Sequence, residues 1–403
     1  MGPITESTMR TSFVLGIRLL IQTGTLLLVA RLLGAGDYGL FAGIAALAVL
    51  IGTFSTFGTH LVLLAEVSKS PTLCTQILSY AVPTTLIFGC GLFLLYIVIC
   101  SLLFYSLHPS LIVIICIGLT EIILLPLFLL STIEELALGK TAQSQLLVIF
   151  PLALRTFAVG IVLFVDSFEP LILFSWLYLG SALIALYCRK LFKPNAWLRP
   201  KDWRLANKQE LKNSAGYAAL ALTAAGPNEL DKVVAVKLLP LGMSGLYIAA
   251  SRVIGAATLP VTALLLSALP RLFRAHTELQ SKRLNYWILV SVLIYGIILS
   301  GALWWLAPWV EWLFGHKYLD MAEILQWLCW VIPALALRIS LVNILMTMDK
   351  PWVRAGIEIF GVLALFISTI ILYPLFGILG MVIALALSEC GMVGIGYYCI
   401  NKN

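Results

Sequence analysis

Charge is what this sequence has least of. Only 11% of its 403 residues are Asp, Glu, Lys or Arg, while 61% are hydrophobic and the mean hydropathy is +1.02. Such a composition excludes a soluble domain and indicates a polytopic membrane protein. Organised cysteine is also missing. Eight cysteines lie scattered, mostly in apolar runs, with no C-x-x-C spacing and no His/Cys cluster, so neither a metal site nor a disulfide framework is expected. There is no Gly-rich phosphate loop and no nucleophile–base pair, which argues against an enzyme and leaves no cofactor to bind. Energy for any work would have to come from a proton or sodium gradient, from product removal, or not be needed. The opening residues MGPITESTMRTS lack a basic n-region and a small-residue cleavage site, so the chain from Thr11 reads as a retained first span rather than a signal peptide.

Apolar runs fill the space that charge leaves. A span needs about 20 predominantly apolar residues, and twelve stretches qualify: 11–33, 39–65, 77–105, 110–136, 144–165, 170–192, 213–238, 244–270, 284–314, 320–346, 353–373 and 377–400. Most connections are short. The exception, KPNAWLRPKDWRLANKQELK at 193–212, is basic and polar and divides the chain into an N-terminal lobe (1–192) and a C-terminal lobe (213–403). The expected fold is all-α, with twelve transmembrane helices in two lobes of six.

Orientation follows from the positive-inside rule. With the N-terminus inside, the inward loops hold eighteen Lys and Arg residues, eight of them between Arg189 and Lys212; the outward loops hold Arg31, Lys237 and Lys317. Both termini are therefore expected in the cytoplasm. The net charge of +7 is explained by basic loops meeting anionic lipid, without nucleic acid.

An internal repeat supports two lobes. RLLGAGDYGLF at 31–41 aligns without gaps on KLLPLGMSGLY at 237–247, an offset of 206 residues that matches Gly36 to Gly242 and Gly39 to Gly245. Six spans separate the copies, so they share one orientation, as in repeats related by a pseudo-two-fold axis along the membrane normal. The glycines are expected to allow a tight outer turn between the first two helices of each lobe.

Charges inside the spans carry the functional reading, because each costs about 2.5–3.5 kcal/mol at membrane depth even on a lenient scale. Thr11, Arg18, Gln22 and Thr25 share one face of the first helix, and Thr53, Thr56 and His60 share one of the second. These faces either glue helices together or line a wet cavity. The segment from Gly226 to Arg271 concentrates Asn228, Glu229, Asp231, Lys232 and Arg252. Gly226-Pro227 invites a kink or break that would place Asn228 and the acids in the first turn of a half-helix, and Pro260 is a second candidate kink. Glu229 and Lys232 are close enough in sequence to pair, and Glu229 or Asp231 is within reach of Arg252. Glu121 with Arg155, and Arg338 with Glu358 or Glu389, read as structural ion pairs. Trp304, Trp305, Trp309 and Trp312 read as an interfacial belt.

Several segments are similar to the polysaccharide (O-antigen type) flippases of the multidrug/oligosaccharidyl-lipid/polysaccharide exporter superfamily. LLVARLLGAGDYGLFA resembles their LGxxxYG signature. LDKVVAVKLLPLGMSGLYIAASRV followed by LPRLF resembles their helix 7–8 segment, and FGHKYLDMAEILQWL and LFGILGMVIALALSE resemble their helix 10 and 12 segments. The resemblance implies a MATE-like fold around a central cavity. It also implies alternating-access transfer of an undecaprenyl-pyrophosphate-linked oligosaccharide (an O-antigen, capsule or exopolysaccharide unit) to the periplasmic leaflet of a bacterial inner membrane. Membrane lipids, a polysaccharide polymerase and a chain-length regulator are the implied partners. Cavity cations meeting the pyrophosphate carry over to Arg18 and Arg252, and more weakly to Lys232 and Arg31, with Gln22, Thr25, Asn228, Asp231 and His60 as polar lining. Two rivals stand beside this: a MATE-type drug or cation antiporter, which wants an acidic cavity, and a membrane-embedded polysaccharide-assembly enzyme, which wants a large outer loop or clustered acid/base residues.

Overall fold

The computed structural model describes residues 3–165, 169–192, 199–265, 278–348 and 350–402, and helices account for nearly all of them, with no strand among them. The segment LPRLF lies outside the described residues, as does the side chain of Thr11. In chain order the helices are α1 (Pro3–Gly52), α2 (Thr59–Lys69), α3 (Cys74–Leu103), α4 (Leu111–Gly118), α5 (Leu125–Ala137), α6 (Thr141–Phe164) and α7 (Pro170–Phe192). They continue with α8 (Lys208–Leu238), α9 (Leu241–Ala257), α10 (Glu278–Phe314), α11 (Met321–Cys329), α12 (Ile332–Thr347), α13 (Pro351–Phe376) and α14 (Ile378–Asn401). A π-helical turn, Leu119–Leu124, joins α4 to α5.

Among the described residues nine helices are long and apolar enough to cross a membrane, or ten with the bent pair α11–α12, whose halves meet at 50°. The expected twelve is not reproduced, and the differences have physical causes. One stretch, Gly16–Gly52, runs 37 residues. That is about 55 Å at 1.5 Å per residue, far beyond a hydrocarbon core of roughly 30 Å. It holds the two spans that sequence separates, merged across Gly34, whose backbone (φ 75°, ψ 169°) is not helical. Helix α8 is not among the nine because it is too polar: charges crowd both its ends, and Asn213, Tyr217, Pro227 and Asn228 dilute the apolar residues between them. The second expected span, 39–65, is itself interrupted: residues 53–58 form turns, with left-handed backbone at Phe57 and Gly58.

The chain divides into two compact units. Residues 1–33 and 40–225 form the first; residues 34–39 and 226–403 form the second. Within the first, Leu63, Val67, Ile77, Leu78, Leu127 and Leu130 build a buried core from α2, α3 and α5. Elsewhere in this unit two glycines allow close backbone approach: a Cβ on Gly58 would fall 2.4 Å from Ser214 O, and one on Gly52 2.4 Å from Glu121 O. Within the second, Val261, Ile288, Val292, Leu341, Ile344, Ile357 and Met392 form the core. Both units expose large apolar side chains, among them Phe157, Phe164, Ile298 and Ile371, as spans facing lipid must.

The start of α8 carries a signal overlooked in the sequence. In Asn207-Lys-Gln-Glu210, Asn207 Oδ1 accepts the Glu210 N–H at 2.8 Å and Glu210 Oε2 accepts the Asn207 N–H at 2.8 Å, a reciprocal capping box. Arg204 adds a two-pronged grip on the Glu210 carboxylate at 2.9 and 2.6 Å, and its backbone N–H bonds Ser79 O. The second half of the basic linker is thus tied to the first unit. Asn207→Ala is expected to cost about 0.5–2 kcal/mol, the usual loss for a cap, read by thermal unfolding in detergent. The Arg204 hydrogen bonds hold the Glu210 carboxyl below its ordinary range. Its stabilising contribution is therefore full above that range and fades as the pH falls through the lowered value. Glu210→Gln should flatten this acid limb of the stability profile.

Candidate functional site

In the first unit, the polar face of α1 meets α6. Residues 18, 22 and 25 lie one helical turn apart, opposite Gln145 and Thr156, so the two stripes run alongside each other. Arg18 Nη1 donates to Gln145 Oε1 at 2.8 Å, and the Thr25 and Thr156 hydroxyls meet at 2.5 Å. Arg18 Nε and Gln22 Oε1 are buried without a partner. Arg18 sits fifteen residues into α1, just inside the start of its apolar stretch Gly16–Gly52. A second group gathers around the π turn. Glu121 Oε1 accepts from Arg155 Nη2 at 3.3 Å and also bonds the Tyr178 hydroxyl, while the Arg155 guanidinium lies 4.0 Å from the Tyr178 ring centroid. His60 Nδ1 and Thr56 Oγ1 are 2.6 Å apart, although the interruption at 53–58 removes the continuous helical face expected for Thr53, Thr56 and His60. Arg31 is exposed, shortly before the non-helical Gly34 inside α1.

Helix α8 runs unbroken through Gly226-Pro227. No half-helix begins at Pro227, so the expected dipole site for Asn228 and the acids is absent. Gly226 serves close packing instead, since a Cβ there would fall 2.7 Å from Val362 Cγ2. The interruption associated with Pro260 falls just before it, at Thr258, where α9 ends.

The charges of the second unit pair off. Arg252 Nη1 and Nη2 grip Glu229 at 3.1 and 2.9 Å, the fork geometry that suits carboxylates. Lys232 Nζ lies 2.9 Å from Asp231 Oδ1 and also bonds Asn228 O, so the expected Glu229–Lys232 pairing does not form. Asp231 Oδ2 further accepts long bonds from Tyr247 and Ser251, both at 3.4 Å. Arg338 Nε meets Glu389 Oε2 at 2.6 Å and its Nη2 reaches Asn228 Oδ1 at 3.1 Å. Glu358 is engaged by Arg354 at 3.2 Å. Arg252 and Lys232 are therefore each held by an acid, Arg252 by one of the two carboxylates within its expected reach. The Arg252 side chain remains 35% exposed against 7% for Lys232.

A pattern emerges from the intramembrane bases. Arg155, Lys232, Arg252 and Arg338 each have a carboxylate within 3.3 Å. Arg18 has an amide in place of an acid. Among the described residues no group of His, Cys, Asp and Glu could hold a metal ion.

No protein-family model and no curated protein matches this sequence. Solved structures do match in fold. One is an inward-facing multidrug-resistance MATE transporter of the MOP superfamily, 12% identical over 98% of both chains with a TM-score of 0.74. Another is the lipid II flippase MurJ in an inward closed conformation, 14% identical over 98% of this chain and 87% of that one, also with a TM-score of 0.74. A third is a MOP superfamily transporter from Pyrococcus furiosus, described by a reversed binding-pocket polarity that suggests a different function; it is 13% identical over 99% and 95% of the two chains, with a TM-score of 0.69. The fold is thus that of MATE and MOP transporters, in a multi-pass membrane protein.

Proposed function

We propose that this protein is a flippase moving an undecaprenyl-pyrophosphate-linked oligosaccharide from the cytoplasmic to the periplasmic leaflet of a bacterial inner membrane. Both termini lie inside, and the two lobes of the chain alternate between inward and outward access. One observation carries the reading: Arg18 is a guanidinium within the apolar stretch Gly16–Gly52 of α1, with no acid to neutralise it among the described residues. A buried charge is tolerated when it is functional, and a planar guanidinium suits phosphate oxygens. A polyprenyl tail is at home in lipid, so the protein need only carry the head group. That step makes and breaks no covalent bond. In this reading Gln22 and Thr25 extend the polar face beside Arg18, and Arg252 is a second station once it lets go of Glu229. The fold shared with MurJ is compatible with a lipid-linked cargo.

The carboxylates Glu229, Asp231 and Glu389, together with the MATE structures among the similar folds, favour one alternative, a cation antiporter. Proteoliposomes separate the two. A fluorescent undecaprenyl-pyrophosphate-linked oligosaccharide should become accessible on the far leaflet faster with protein than without, while ethidium should not be exported. Ethidium export driven by a proton or sodium gradient, without lipid flipping, would establish the antiporter instead.

A further inference from the structure

Nothing in the sequence singles out Gln145, since a glutamine in a span ordinarily glues one helix to another. In the structure it is the partner of Arg18. It is the fifth residue of α6, and its amide oxygen accepts the Arg18 Nη1 hydrogen bond at 2.8 Å. Both residues belong to the first unit. The place of Gln145 is set from two sides. Its neighbour Ser144 is buried, and the Ser144 hydroxyl donates to Thr132 O at 2.8 Å, tying the start of α6 to α5. Farther along, the Thr25 and Thr156 hydroxyls hold α6 to α1.

That this partner is an amide decides what Arg18 can do. A carboxylate at 145 would grip the guanidinium more strongly, as carboxylates grip Arg155, Lys232, Arg252 and Arg338. It would also neutralise the charge and set acceptor oxygens beside it, where an incoming anion would be repelled. Gln145 gives its one oxygen to Nη1, and the other arm of the amide is an NH2 group, a donor only. Among the described residues that NH2 has no hydrogen-bond partner. An anion resting on Arg18 thus meets donors from two side chains and an undiminished positive charge.

We infer that Gln145 is the positioning residue of the Arg18 anion site: its amide oxygen fixes the guanidinium without neutralising it, and its NH2 is set beside Arg18 for the same phosphate oxygens. The inference rests on the flippase reading for the identity of the anion, and on the 2.8 Å contact for the role of the amide.

Inorganic pyrophosphate, titrated calorimetrically into the full chain in detergent micelles, probes the site apart from any lipid cargo. Gln145→Glu should weaken its binding at least about tenfold while the unfolding temperature stays level or rises, because a charge-assisted pair replaces a bond to a neutral amide. Gln145→Met, similar in size and without a polar group, should weaken binding less, by about two- to tenfold, the usual worth of one hydrogen bond. A residue that merely holds α1 to α6 would give the opposite order, since glutamate still accepts from Arg18 and methionine does not. Binding unchanged in Gln145→Met, a larger loss in Gln145→Met than in Gln145→Glu, or no binding by the natural chain overturns the role assigned to Gln145. The methionine variant decides the matter even if Gln145→Glu fails to fold. Binding that follows the expected order, without transfer of the lipid-linked oligosaccharide in proteoliposomes, keeps the role of Gln145 and overturns the flippase reading.

Discussion

Glu389→Ala should be the most damaging single change in the second unit, lowering stability by about 3–5 kcal/mol. The side chains of Arg338 and Glu389 are 3% and 1% exposed and meet at 2.6 Å. Removing the acid leaves a guanidinium in the interior with only the amide of Asn228 to answer it. The pair itself is not well satisfied, since Glu389 Oε1 has no partner. Replacing both residues with methionine should therefore be neutral or even favourable, by up to roughly 4 kcal/mol, as for other buried pairs exchanged for apolar groups. Thermal unfolding of the single and double variants in one detergent measures the contrast. Equal losses in both would mean that the pair contributes through geometry rather than through mutual neutralisation.

That contrast also marks what a sequence can convey. The density of apolar residues fixes helices and lipid contact, and those were legible along most of the chain. The self-matching segment at 31–41 and 237–247 was legible too, because a gapless offset survives without knowledge of packing. Its physical use was not. Gly39 and Gly245 are contact residues rather than turn residues, and only the crossing of two distant segments distinguishes the roles. Ion pairing was legible as a set of candidates. Which acid takes which base depends on the rotation of one helix against another. Lys232 thus went to its neighbour Asp231, leaving Glu229 to Arg252, 23 residues away. The break at 53–58 and the π turn at 119–124 were hidden for another reason. Their residues are ordinary in spans, and the departures from helix meet each other through Gly52 against Glu121 O, a tertiary contact. Pro227 misled in the opposite direction: α8 continues through it as one helix, and the expected break does not occur.

Arg18→Ala should reduce transfer of the fluorescent undecaprenyl-pyrophosphate-linked oligosaccharide about 10- to 150-fold in proteoliposomes, the range set by losing a hydrogen bond to a charged group worth roughly 1.5–3 kcal/mol. Arg18→Lys keeps the charge but loses the fork, so it should fall between alanine and the natural residue. Stability should scarcely change in either variant, because Arg18 gives up a bond to a neutral amide and leaves no acid exposed. Arg252→Ala is expected to behave differently. It strands the Glu229 carboxylate, whose side chain is 11% exposed, and should lower the unfolding temperature as well as transport. The combination Arg252→Gln with Glu229→Gln should recover the stability but not the transport. The two arginines are thus distinguished by what accompanies the loss of activity: for Arg18 an intact fold, for Arg252 a fold rescued only when its acid is removed as well. Normal transfer by Arg18→Ala protein would show that the unneutralised guanidinium of α1 does not meet the head group.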